Sequence, residues 1–219
     1  IVGMIISLIA SARVKSTFSK YQRVANHSGM TGRDAAERIL HNANIYDVRI
    51  ERVSGHLTDH YDPRNKVLRL SDSTYQSASA VGVAAHECGH AIQHATGYAP
   101  LRFRGALVPV ANFGATIAWP LILLGFFITG RSSDLFIHLG IIAFSLSVLF
   151  QLVTLPVEFN ASRRAVRILG SSGMLYQNEV ADTKKVLDAA ALTYVASAAA
   201  SILQLVRILL IAGGRRGDD

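Results

Sequence analysis

A chain of 219 residues is long enough for one compact domain, or for a small domain with several membrane spans, and too short for a multidomain machine. Half of it is hydrophobic, 17% is charged and the mean hydropathy is +0.31, which excludes intrinsic disorder, collagen-like repetition and nucleic-acid-binding tails and leaves the chain too apolar for an ordinary soluble domain. The net charge of +7 then points to cationic loops beside anionic lipid rather than to nucleic acid, and one cysteine, Cys88, excludes an intrachain disulfide framework and a zinc finger of four thiolates.

In chain order, Ile1 to Ala12 is uncharged but shorter than the roughly 20 residues of a spanning helix. Because the chain does not begin with Met, this run reads as the end of a longer membrane helix or of a trimmed chain. A signal peptide is disfavoured, since no basic segment precedes it and no clear cleavage signal follows. Residues 13–104 form the large polar segment. Within it, Ser28 to Ile45 carries Thr31 as an N-cap, with Ala35, Ala36, Ile39, Leu40 and Ala43 at helical spacing, and reads as an amphipathic helix. Val48 to Val53 and Leu57 to Leu70 alternate like strands and are broken by turn signals at Ser54-Gly55 and Asp62 to Asn65, which predicts a small antiparallel sheet or hairpin. Ser71 and Asp72 offer N-caps for one long helix from Ser73 to about Thr96, stopped by Gly97 and Pro100.

Gly105 to Thr129 has no charge, and Leu135 to Val157 is a second run of crossing length, joined to it by the turn Gly130 to Asp134. Residues 105–157 therefore predict a membrane hairpin whose outer ends return to one face, kinked at Pro109 and Pro120. A segment at 158–188 follows. Ala189 to Ala212 is a further span, rich in small residues that suit close packing, with Arg207 near enough to its end to snorkel; residues 213–219 are a tail. Arg13, Lys15, Lys20, Arg23, Arg102 and Arg104, and the basic residues of 158–188, lie on one face; only Arg131, Arg215 and Arg216 lie opposite. The positive-inside bias puts both large loops in the cytoplasm.

The chemistry sits in His86-Glu87-Cys88-Gly89-His90. Two histidines at i and i+4 on one helix face can converge on a cation, and the Glu between them reaches a water bound there. With 8 His and 5 Glu in the chain, chance would supply roughly 0.007 such matches. A catalytic zinc wants a third protein ligand and one open position. His94 lies eight residues beyond His86, about 12 Å along a helix, too far to share the ion. Glu158 is better placed, because the hairpin brings it back to the face it left; by spacing alone it reads equally as a solvated charge at a membrane boundary. Cys88, turned about 200° from His86, reads as core packing. Arg163, Arg164 and Arg167 suit lipid phosphates, the blander alternative to substrate binding.

The stretches DHYDPRNKVLRLSD, GVAAHECGHAIQHATGYAPLR, VPVAN and LPVEFNASRRA together resemble the YugP-type neutral zinc metallopeptidases of bacterial membranes and, more distantly, the HtpX-type and CAAX prenyl-protease-type membrane proteases. The resemblance implies one zinc per chain on His86, His90 and Glu158, with Glu87 as the general base of peptide hydrolysis. In the distant relatives the third ligand belongs to an E-x-x-x-D motif; Ser162 stands here in place of that Asp, so Asn160 or Ser162 is expected to replace it. His60, Tyr61, Arg163 and Tyr176 are candidates to stabilise the oxyanion of the tetrahedral intermediate, each readable as structural as well.

The expected protein is a mainly α integral membrane protein of about four transmembrane helices, with a zincin-like HExxH helix and a small antiparallel β element. It is expected to be a multi-pass zinc endopeptidase of the bacterial cytoplasmic membrane whose active site faces the cytoplasm. Its expected partners are protein or peptide substrates, lipid, and further copies of itself or a larger membrane complex, without nucleic acid. The main rival is an idle membrane scaffold that keeps zinc for structure, which has no need of Glu87. A metal transporter would want ionisable residues deep in several spans.

Overall fold

The computed structural model describes residues 2–21, 26–77, 80–128 and 131–214. Arg23, Thr129, Gly130, Arg215 and Arg216, which entered the sequence reading above, lie outside them. Helix accounts for 77% of the structure. In order, the elements are α1 (Val2–Tyr21), α2 (Gly32–Asn42), β1 (Arg49–Val53), β2 (His60–Asp62), β3 (Val67–Ser71), α3 (Asp72–Tyr75), α4 (Val81–Ala95), α5 (Ala99–Phe127), α6 (Arg131–Ser171) and α7 (Gln177–Gly214). They divide into two compact units, one made of residues 1–9, 102–155 and 194–219, the other of residues 10–101 and 156–193.

The first unit is helical at every described residue but Ile128. Its parts of α5 and α6 approach closely at three glycines: Gly114 meets the backbone of Ala143, Gly125 meets Ile137, and Gly140 meets Ile122. Ser133 Oγ donates to Gly125 O at 2.6 Å, and Trp119 and Phe144 meet edge to face. Small residues let these helices touch, while the large apolar side chains of Phe113, Phe127, Leu135 and Ile142 are left exposed. Among the described residues, three helices are long and apolar enough to cross a membrane: α5, Ser132–Ser171 of α6, and α7. The fourth expected span falls in α1, whose 20 residues include Arg13, Lys15 and Lys20, and which is not one of the three.

In the second unit, α2 starts at Thr31 as expected. The hydroxyl of Thr31 accepts from Asp34 N, and the Asp34 carboxylate accepts from the Thr31 amide and hydroxyl, a reciprocal capping box that holds the Asp34 pKa below its ordinary value. Ala35, Ala36, Ile39 and Leu40 then point into a core shared with Leu68, Leu70, Ala84, Cys88, Ala165 and Leu169.

Two expectations are corrected here. The sheet is mixed, not antiparallel throughout: its order is β1-β3-β2, with β2 and β3 forming the expected antiparallel hairpin across Asp62 to Asn65 and β1 adding parallel to β3. β3 takes the centre because it is the most apolar strand, with Val67, Leu68 and Leu70 all buried, and the Asp59 carboxylate, accepting from Ser71 N and Oγ, fixes the connection that carries β2 past β3 to its far edge. The single helix expected from Ser73 to about Thr96 is two, α3, which ends at Tyr75, and α4, which starts at Val81. The Ser77 carbonyl accepts from Gly32 N at 3.1 Å instead of serving a helix, and the Gln76-Ser77 stretch has little propensity to resist. The expected stop after α4 holds, with Gly97 in the left-handed region at φ 63.

Candidate metal centre

α4 presents its residues in two directions. Ala84, Ala85, Cys88 and Ala91 fill the core, while His86 and His90, one turn apart, share the other side, their rings edge to face at 4.9 Å. Facing them is the part of α6 within the same unit, where Val157, Ala161, Ala165 and Leu169 are buried at every fourth position, with Glu158 beside that stripe. The two helices come together at Gly89: a Cβ there would lie 2.7 Å from Ala161 O and 3.1 Å from Ala161 Cα. Both obstacles are backbone, so nothing can rotate aside. Gly89→Ala is therefore expected to cost about 1–3 kcal/mol and to weaken metal retention as α6 moves off, read as a lower thermal midpoint together with reduced zinc content. Unchanged values of both would show that this approach is not needed.

That approach delivers Glu158 to the histidines. Its Oε2 lies 3.3 Å from His86 Nε2 and 3.6 Å from His90 Nε2, and the three ligating atoms all fall within 4.8 Å of one another. Donors held tetrahedrally about 2.0–2.1 Å from zinc are about 3.4 Å apart, so the two distances from Glu158 fit that ion. Electrostatics favours a cation too. Burial alone would push His90 down, yet the hydrogen bond to Glu158 and the charges of Glu87 and Glu158 outweigh it and hold the group above its ordinary value. Positive charge is favoured at Nε2, whether a proton or a metal supplies it.

Both far nitrogens have partners. His86 Nδ1 is 3.1 Å from Ser162 Oγ, and His90 Nδ1 is 3.0 Å from Gln93 Oε1. Ser162 lies one turn beyond Glu158 on the same helix. Asn160 joins one step further out, its Oδ1 accepting from Gln93 Nε2 at 3.0 Å and from Arg164 Nε at 2.8 Å. Glu87 lies on α4 between the histidines and is only 9% exposed.

The remaining candidates make their hydrogen bonds and ring contacts elsewhere. Tyr61 and His94 bond to each other, the phenol oxygen 2.8 Å from Nδ1, and burial with the charges of Asp47 and Asp62 pushes the phenol up to about 12. His60, on β2, is bonded to Thr58 O and approaches Arg69. Arg163 donates to Phe159 O on its own helix, and Tyr176 stacks on His27 with centroids 3.4 Å apart. Cys88 is fully buried, as expected of a packing residue. Gln93 is the residue that sequence reasoning missed. The available signal was an amide three places after His90 in an otherwise small and apolar stretch, the spacing that shares a helix face.

Residues 1–213 match the family described as "Putative neutral zinc metallopeptidase". The chain is 50% identical over 208 residues to the protein of Bacillus subtilis (strain 168) named "Putative membrane protease YugP", covering 94% of this chain and 91% of that one. No solved structure matches.

Proposed function

The chain belongs to this neutral zinc metallopeptidase family, and on that premise we propose that it is a membrane-embedded zinc endopeptidase of the gluzincin kind, with α4 as its zincin-like helix. The observation that carries the reading is the convergence of His86 Nε2 and His90 Nε2 on Glu158 Oε2, at distances that fit tetrahedral ligands. One zinc per chain would be held by these three residues, leaving a fourth position open. Zinc supplies, when bound, a water acidified to a pKa of roughly 7 and a Lewis acid for the substrate carbonyl. Glu87 then takes the proton and returns it to the leaving nitrogen. The tetrahedral oxyanion needs a donor, for which His60, Tyr61, Arg163 and Tyr176 remain the candidates.

Within residues 57–70, β3 is the central strand and only β2 lies at an edge of the sheet, as β1 does at the other, so β2 supports recognition of an extended peptide by strand addition. A bound peptide inhibitor lying away from residues 57–70 refutes that part. α1 is read as a fourth span, and the basic residues around 13–20, 102–104 and 163–185 favour a site on the cytoplasmic side of a bacterial membrane. The small residues of Ala189 to Ala212 suit self-association or docking in a larger membrane complex.

The test is cleavage of casein or a membrane peptide by the purified full chain, alongside zinc content. One zinc per chain is expected, with cleavage lost on chelation and restored by adding zinc. Cleavage that survives complete removal of metal sinks the reading, and zinc held without any cleavage favours the scaffold.

A further inference from the structure

Gln93 is completely buried, and each polar atom of its amide is engaged. Its Nε2 donates to Val157 O at 2.8 Å and to Asn160 Oδ1 at 3.0 Å, while its Oε1 faces His90 Nδ1 at 3.0 Å. The roles along this chain are not free. Val157 O can only accept, so the NH2 of Gln93 must point to it. Arg164 Nε can only donate, so the atom of Asn160 that it meets, which Gln93 also meets, is the oxygen. The amide therefore has one orientation, which turns Oε1 toward His90 and requires Nδ1 to carry the proton. When His90 is neutral, its lone pair is then on Nε2, the nitrogen that faces Glu158.

We propose that Gln93 is a positioning residue for His90, a buried acceptor that holds the proton on Nδ1 and so presents Nε2 to the metal. The inference rests on the zinc reading above and goes beyond it, since neither the ligand motif nor Glu87 requires anything at position 93. Ser162 gives His86 a partner of a weaker kind, because a hydroxyl can donate or accept and leaves the tautomer open. Of the two histidines, His90 is the one whose tautomer the protein dictates.

The test is zinc affinity by chelator competition for the purified full chain, with Gln93→Met and Gln93→Glu beside wild type. Methionine keeps the volume and removes the acceptor. Glutamate keeps an oxygen for Nδ1, and its second oxygen, protonated, can donate to Val157 O. Gln93→Met is expected to bind zinc 10–100-fold more weakly, and Gln93→Glu to stay within about threefold of wild type. Loaded with Co2+, wild type and Gln93→Glu should share one visible spectrum, from which Gln93→Met departs. Equal affinity in wild type and Gln93→Met overturns the proposal, as does a Gln93→Glu protein as weak as Gln93→Met, since the loss would then be general damage to the core. If Gln93→Met does not fold, Gln93→Glu decides alone: near-native affinity and spectrum support the proposal, and a tenfold loss overturns it. A wild-type chain that binds no zinc overturns the zinc reading and this inference with it, whereas tight zinc binding that is indifferent to position 93 overturns this inference alone.

Discussion

Glu87→Gln is expected to keep one zinc per chain and to lose about 10^2–10^4-fold in peptide cleavage, the range for removal of a positioned general acid–base group. The substitution is nearly isosteric and leaves His86, His90 and Glu158 in place, so metal content should not change. What disappears is the ability to accept a proton and give it back. The side chain suits the task by position: it is carried on α4 between the two histidines and is 9% exposed, so its charge acts in a medium that screens it weakly. Zinc content and initial rate, measured on the same preparation, separate the cases. Cleavage within a few-fold of wild type with zinc retained removes Glu87 from the chemistry. Loss of zinc together with cleavage moves Glu87 from base to scaffold of the site.

Glu158→Ala is expected to abolish zinc retention and cleavage together, with a second signature in stability. A ligand present at 1,000 times its dissociation constant stabilises the folded state by about 4 kcal/mol. Zinc should therefore raise the thermal midpoint of wild type and leave Glu158→Ala where it is. Without zinc the order is expected to narrow or reverse. Glu158 is 3% exposed, and two imidazoles on one carboxylate need a cation among them; alanine removes the buried charge that creates the need. A Glu158→Ala protein that still gains stability from zinc assigns the third ligand to another residue.

What was legible in the sequence is what short spacings carry. The Thr31–Asp34 capping box spans three residues, and the His86–His90 pair spans one helical turn, so propensity and periodicity reach both. The stop at Gly97 belongs to the same class. Glu158 is 68 residues from His90, and only the expectation of a returning hairpin, strengthened by family resemblance, brought it to the site. Where pairing is decided by competition between distant segments, spacing was silent. β1 lies nearest β2 in sequence yet pairs with β3, because burial of Val67, Leu68 and Leu70 puts β3 in the middle. The break between α3 and α4 is set by a carbonyl that serves Gly32, 45 residues upstream, which no local signal around Ser77 announces. Gln93 was hidden for the opposite reason: an isolated amide on a helix looks solvated until the opposing helix supplies Val157 O and Asn160.

The thiol of Cys88, the only one in the chain, is fully buried; its hydrogen is directed at Ala36 O, and burial, then the charge of Glu87, pushes its pKa upward. Thiolate is the reactive form, so a maleimide finds nothing to attack while α2 lies against α4. Alkylation then becomes a clock. Its rate under native conditions counts how often the core behind His86 and His90 opens, with no cysteine to be engineered in and no competing cysteine to correct for. Comparing that rate with and without zinc would tell how far a cation on one side of α4 quiets the packing on the other.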